Sequence, residues 1–405
     1  MSPRLNPGLI VKLRPAGPWR SGPDSGARNR VDPIYHSDSL YAAVTAAMST
    51  LGMRDAWLDA TARHPEGPAV RFSSCFPFQG ETAFIVPPRS IWPPMAQVSA
   101  AKTRWKSARF IPLPLVAALL GGQPPHEDQW TVDGASECLL PAGQLGPFRI
   151  GVRWSAAIDR LTGNAERHST GCIEFRRDAG LWAIMSFSGD AAHARWSEPV
   201  RGALRLLADS GFGGERARGW GRSAQPEFTE GMLPELVLAP PRPLAPSPAQ
   251  EPIETASEPD SPARPLAPSP AQELSEPDAA TTEHWLLSLF TPGPHDAVDW
   301  KRGNYTVIAR GGRIDSPAGF GERKKQLQMV TEGSVLVAGD IIRGAAPDVA
   351  PDGFAHPVFR AGFALSIPLP RLTRDLPTRD LPTRDLPTRD LPTRDLPSRD
   401  REGAV

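Results

Sequence analysis

Cysteine is scarce and scattered in this chain. Cys75, Cys138 and Cys172 are the only three in 405 residues, with no C-x-x-C pair and no histidine at ligand spacing. That pattern argues against a disulfide framework and a zinc site, and an odd count fits a reducing compartment. A surplus of one charge sign is also missing, since 45 Lys and Arg balance 45 Asp and Glu. A histone-like polyanion binder is therefore excluded, although a localised basic groove is not. No run approaches about 18 apolar residues, so no membrane span is expected. The first residues, MSPRLNPGLIVKLRPAGPW, read as a β-strand rather than a signal peptide. A cytoplasmic location follows as the expectation.

Proline and small residues dominate two segments. Residues 239–282 are rich in Pro, Ala, Ser and Glu and repeat RPLAPSPAQE at 242–251 and 264–273. Such a composition buries too little apolar surface to offset chain entropy, and it reads as a disordered linker. From Leu376 the tail repeats LPTRD, ending in LPSRD. A proline in every five-residue unit blocks helix and strand alike, so 371–405 reads as a disordered tail. With residues 236–282 and this tail set aside, 35 basic residues face 31 acidic ones, a mild positive excess.

Two blocks remain, 1–238 and 283–370. Leu9, Val11 and Leu13 alternate as a half-buried strand. HSDSLYAAVTAAMSTLG at 36–52 predicts a helix capped by Ser37 or Asp38, with an apolar stripe at Leu40, Val44, Ala47/Met48 and Leu51 and a stop at Gly52. Short strands are expected at 71–78 and 82–88, another at 149–154, a hairpin over 171–187 and a helix over 198–209. The second block is strand-rich, at 284–292, 304–312, 323–337 and 359–369. Without a regular βαβ rhythm, the expected class is α+β on antiparallel sheets.

The most specific local signal is GFGGERARGWGRS, 211–223. Its five glycines, Gly211, Gly213, Gly214, Gly219 and Gly221, permit positive φ and close backbone approach. Arg216, Arg218 and Arg222 interleave with them as forks for phosphate oxygens, and Trp220 offers a face for a base. Gly214 to Gly219 has P-loop spacing, but Trp220 stands where the lysine belongs and a helix precedes, so a nucleotide loop is excluded. A second basic cluster, Lys102, Arg104, Lys106 and Arg109, carries Trp105 and Phe110 between its charges. Either stretch reads as a solvated surface if no RNA meets it. No catalytic Ser–His–Asp set, metal cluster or cofactor motif appears in convincing context, so no catalytic residue, metal or cofactor is expected.

The loop resembles the glycine-rich loop of RAMP proteins. Other stretches resemble, in order, the fourth subunit of the type III-A CRISPR (Csm) effector: HSDSLYAAV, SSCFPF with AFIVPP, KTRWKSARFIPLPL, AAIDRLTGNAERHSTGCIEF, LSLFTP, GNYTVIARGGRIDS, EGSV and HPVFRAG. Together they span most of residues 8–370. The resemblance implies two ferredoxin-like (RNA-recognition-motif-like) RAMP domains, the first with a thumb-like hairpin in which Arg160 would touch RNA. It implies a non-catalytic subunit of antiviral defence that holds the 5′ handle of the crRNA. Its protein partners would be the large polymerase-like subunit and the backbone RAMP subunit. His36 is a candidate RNA contact and also keeps an alternative open, a metal-independent guide-processing endoribonuclease, because related nucleases carry a histidine in this region. At a helix start Asp38 reads first as a cap.

Overall fold

The computed structural model describes residues 6–22, 27–94, 105–123, 126–238, 281–316 and 319–369. The chain opens with β1 (Asn6–Leu13), α1 (Ser37–Thr50), α2 (Arg54–Ala60), β2 (Val70–Phe72), β3 (Phe76–Gln79), β4 (Thr82–Ile85), β5 (Ile111–Pro112) and α3 (Leu113–Leu120). Then come β6 (Trp130–Asp133), β7 (Cys138–Pro141), β8 (Phe148–Ile158), β9 (Ala165–Phe175), β10 (Ala179–Phe187), α4 (Asp190–Ser210), β11 (Glu227–Leu233) and α5 (Glu235–Leu238). The second block holds β12 (Thr282–Leu286), β13 (Val298–Asn304), β14 (Val307–Arg310), β15 (Arg313–Ser316), β16 (Gly319–Arg323), β17 (Leu327–Val330), β18 (Val335–Ala338), β19 (Gly344–Ala345), β20 (Gly362–Phe363) and β21 (Ser366–Pro368). No described helix is long and apolar enough to cross a membrane.

The α+β class with antiparallel sheets is what the residues build. Leu9, Val11 and Leu13 are fully buried while Ile10 and Lys12 are half-buried, the alternation expected of β1. β1 lies between β10 (Val11↔Ala183) and β11 (Val11↔Phe228), both antiparallel. The main sheet runs β11-β1-β10-β3-β4-β5, with β2 also on β10. Ser73 donates its backbone N–H to Ile184 across the break between β2 and β3, so the two act as one interrupted strand. The second block has a four-stranded sheet ordered β13-β18-β12-β21, and its described residues include no helix.

Helix α1 buries Leu40, Val44, Ala47 and Met48 as expected, and Gly52 follows it at φ +73°. Leu51, however, falls outside the helix and is exposed. Its N-cap is His36, whose side chain makes no cap bond. Ser37 and Asp38 do not cap; they turn to the second block, as described below. Helix α4 begins at Asp190, eight residues before the expected start, and runs through Pro199. The stretch 171–187 is not a hairpin. β9 pairs along its whole length with β8, whereas β10 pairs with β1, so the chain leaves one ribbon for another sheet.

The two blocks share one hydrophobic core, which gathers Trp285, Leu287, Val335 and Leu365 with Leu40, Phe72 and Ile184. Phe363 meets Tyr41 edge-on at 5.6 Å. The Trp285 indole donates to the Val86 carbonyl at 3.2 Å.

Candidate nucleic-acid interface

The glycine-rich loop is a set of left-handed turns. Gly211, Gly213, Gly219 and Gly221 have φ between +72° and +97°, and the non-glycine Glu215 joins them at +61°. Three of these glycines are forced by the protein's own backbone. A Cβ on Gly213 would stand 2.3 Å from the Arg20 carbonyl oxygen, one on Gly211 2.5 Å from that of Trp220, and one on Gly221 2.0 Å from that of Phe212. Gly219 faces open space. Gly214 donates its N–H to Arg20 O at 2.8 Å, and Gly221 donates to Pro18 O at 2.9 Å. The loop is thereby pinned to residues 18–20, beneath which Phe212 stacks on Trp19 at 5.2 Å.

This separates two substitutions that share the same conformational strain. Gly213→Val is expected to melt the free protein at a lower temperature than Gly219→Val, because only the first adds a clash with backbone to an αL penalty of about 1–3 kcal/mol. Equal melting temperatures would show that residues 18–20 yield to the new side chain.

On this frame Arg216, Arg218 and Arg222 are exposed and Trp220 is half-buried. Arg218 donates to Ser155 Oγ at 3.1 Å, meets His168 Nε2 at 3.3 Å and pairs with Glu215 at 3.2 Å. Ser155 and His168 are partners across the β8–β9 ribbon, so Arg218 ties the loop to that ribbon. Eleven unbroken residue pairs form the ribbon, from Phe148↔Phe175 to Ile158↔Ala165. One face carries Ile150, Val152, Trp154 and Ile158, all exposed, with Arg167 over the Trp154 ring at 5.4 Å. Arg149, Arg153 and Glu174 pair on the other face. At its tip Asp159 accepts from the Leu161 N–H and Thr162 Oγ1, both at 2.8 Å, and Arg160 is exposed beside it. No local pattern marks Arg20, whose guanidinium donates to the carbonyls of Arg28 (2.7 Å) and Gly171 (2.8 Å) and so braces loop against ribbon.

Lys102 and Arg104 lie outside the described residues. Lys106 is exposed, but Trp105 and Phe110 are core residues rather than a stacking surface, and Trp105 stacks on Trp92 at 5.8 Å. Arg109 donates to Asp32 Oδ1 at 3.0 Å.

His36 is buried among charges. Its Nδ1 lies 2.8 Å from Glu332 Oε1 and its Nε2 3.0 Å from Asp32 Oδ2. Burial alone would depress its pKa, but Glu332 and Asp32 outweigh that and lift it to about 9. The ring is thus an imidazolium between two carboxylates, and Glu332 also accepts from Ser74 Oγ. Next along the chain, Ser37 Oγ accepts the Leu289 N–H at 3.0 Å. Asp38 receives Arg310 through Nε (3.1 Å) and Nη2 (3.0 Å), and Arg360 closes on its other side. Burial raises the Asp38 pKa, but Arg310 and Arg360 bring it down to about 2. Residues 36–38 are therefore a latch between the blocks. Among the described residues no group of three or more His, Cys, Asp or Glu side chains is arranged to hold a metal ion.

Comparison with known proteins agrees with this architecture. Residues 279–369 match the model of the CRISPR Csm4 C-terminal domain. Over 226 residues the chain is 24% identical to the CRISPR system protein Csm4 of Thermococcus onnurineus, an alignment covering 53% of this chain and 65% of that relative, a little under two thirds. Among solved structures, a chain of the Csm3-Csm4 subcomplex of the type III-A CRISPR-Cas interference complex superposes with a TM-score of 0.54 at 14% identity. That match covers 89% of this chain and 99% of the other. With a match to the Csm4 C-terminal domain model in its second block and 24% identity to a Csm4 protein over about half its length, the chain is similar to the Csm4 proteins of type III-A CRISPR systems.

Proposed function

We propose that this chain is a non-catalytic subunit of a type III-A Csm effector that holds the 5′ handle of the crRNA. Its neighbours in that assembly would be the large polymerase-like subunit Csm1 and the backbone subunit Csm3. The observation that carries the reading is the junction of the arginine-bearing loop 211–222 with the outer half of an exposed, amphipathic ribbon, made through Arg218, Ser155 and His168. Guanidinium forks on a rigid loop suit phosphate oxygens, and the aromatic and aliphatic side chains on the opposite face of the ribbon suit splayed bases. The strand orders support two ferredoxin-like blocks, 1–238 and 283–370, joined by the linker 239–282. With β2 and β3 taken as one strand and the β4–β5 extension at its edge set aside, the first sheet runs fourth, first, third, second (β11-β1-β10-β2/β3), as the second sheet does (β21-β12-β18-β13). In the second block, loops and β-ribbons stand where crossover helices would.

The state of His36 supports the absence of catalysis. A general base needs a free lone pair, and both ring nitrogens here face carboxylates. The guide-processing alternative would require the interblock latch to open.

The test is guide retention by the assembled complex with Arg216→Ala/Arg222→Ala, a pair that leaves the Arg218 junction intact. If both residues hold phosphates, the salt dependence of binding flattens by about 0.7 per lost contact, the single-strand value. Occupancy and salt slope equal to wild type would reject the loop as the handle site.

A further inference from the structure

A second cationic site lies in the cleft between the blocks. Arg71 sits in β2 between the buried Val70 and Phe72, so its side chain leaves the opposite face of the strand. Its Nε is buried and has no hydrogen-bond partner, and no carboxylate among the described residues pairs with the guanidinium. Arg310 and Arg360 differ in that both close on Asp38. Arg71 is half-buried as a residue, and no carboxylate among the described residues is within pairing distance of it.

Arg343 brings a second positive charge close by. The point a Cβ on Gly67 would occupy is 3.4 Å from Arg343 Cδ and 3.8 Å from an Arg71 terminal nitrogen, so both side chains converge there. Gly67 and Arg343 line a cavity of about 220 Å³ together with His64, Glu66, His295 and Asp296, and Arg343 Nη1 donates to the Glu66 carbonyl at 2.8 Å. Asp296 acts on Arg71 through space without pairing with it. Its carboxylate accepts the backbone N–H groups of Gly293 (2.7 Å), Arg343 (2.7 Å) and Gly344 (2.9 Å). Burial, and then the like charge of Arg343, push the Arg71 pKa down to about 10 against the pull of Asp296, which leaves it a cation at neutral pH. The cavity is smaller than the roughly 300–1,000 Å³ of sites for drug-sized ligands. It therefore suits a single oxyanion group rather than a whole nucleotide.

We propose that Arg71 and Arg343 form a receptor for one phosphate group in the interblock cleft, served by His64 and His295 at its rim. Two guanidinium groups brought together from β2 and from the loop before β19 match a tetrahedral oxyanion, and the ligand would offset their mutual repulsion. The phosphate comes either from a free phosphate or phosphomonoester, or from an RNA backbone. The site is separate from loop 211–222 and does not depend on the handle-binding reading.

The experiment is thermal unfolding of the full chain titrated with inorganic phosphate at constant ionic strength, with chloride and acetate as controls. The expected result is a saturable rise in Tm with phosphate alone. Arg71→Gln is expected to be about as stable as wild type without phosphate, since it breaks no ion pair. It should also bind phosphate about 10-fold more weakly or worse, the loss of one charge-assisted bond. Arg343→Gln provides a second variant with the same loss if Arg71→Gln fails to fold. Adding 5′-handle RNA separates the sources: suppression of the phosphate-induced rise identifies a backbone phosphate, and persistence identifies a free one. The proposal is overturned by no saturable response, by an equal response to acetate, or by a full response in both variants.

Discussion

Asp38→Ala is expected to lower the unfolding free energy by about 3–5 kcal/mol, the usual result of removing one member of a buried ionic group. Arg310 and Arg360, both buried, would lose the carboxylate that both of them reach. Chemical denaturation of the free chain measures the loss. A triple replacement, Asp38→Leu with Arg310→Met and Arg360→Met, removes every charge and should recover most of it. If Asp38→Ala alone lies within about 0.5 kcal/mol of wild type, as surface substitutions do, the latch does not hold the blocks.

Alkaline pH should loosen the same junction through His36. Its folded pKa of about 9 lies above the ordinary 6.5, so the stability it contributes is complete below pH 6.5 and is lost as pH rises through 9. At about 1.4 kcal/mol per pKa unit the loss is on the order of 3 kcal/mol. Denaturation at a series of pH values from 6 to 10 reads it directly. His36→Gln should remove the dependence, because glutamine does not titrate. A wild-type curve as flat as that of the variant would mean that the ring does not carry its proton in the folded state.

Much of the framework was legible in sequence because it rests on local periodicity. The alternation of Leu9, Val11 and Leu13 and the 3.6-residue stripe of α1 each report a burial pattern that a few neighbours decide. The glycines of the 211–221 loop were legible as positive-φ positions, yet the carbonyls of Arg20 and Phe212 that exclude a side chain there were not. Residues 36–38 were misread for a related reason. Ser37 and Asp38 have the chemistry of helix caps, but Glu332, Arg310 and Arg360 lie 272 to 322 residues further on, where no local pattern points to them. Trp105 looked like a stacking surface because bases flank it in sequence, and Trp92 claims it in space. The Arg-Arg-Asp-Ala-Gly stretch after β9 has good turn residues, and that chemistry alone cannot tell a hairpin from a crossing between two sheets.

The latch also imposes an order on synthesis. Asp38 leaves the ribosome 272 residues before Arg310. At about 5–20 residues per second the interval is roughly 14–54 s. Throughout that interval the acidic start of α1 has no arginines to receive it, and water must solvate a carboxylate that the finished protein buries. The first block therefore emerges with an open, hydrated seam, and this nascent state is the one that chaperones and proteases meet. Completion is chemically marked: the seam dries only when the last of its cations, Arg360, has been made.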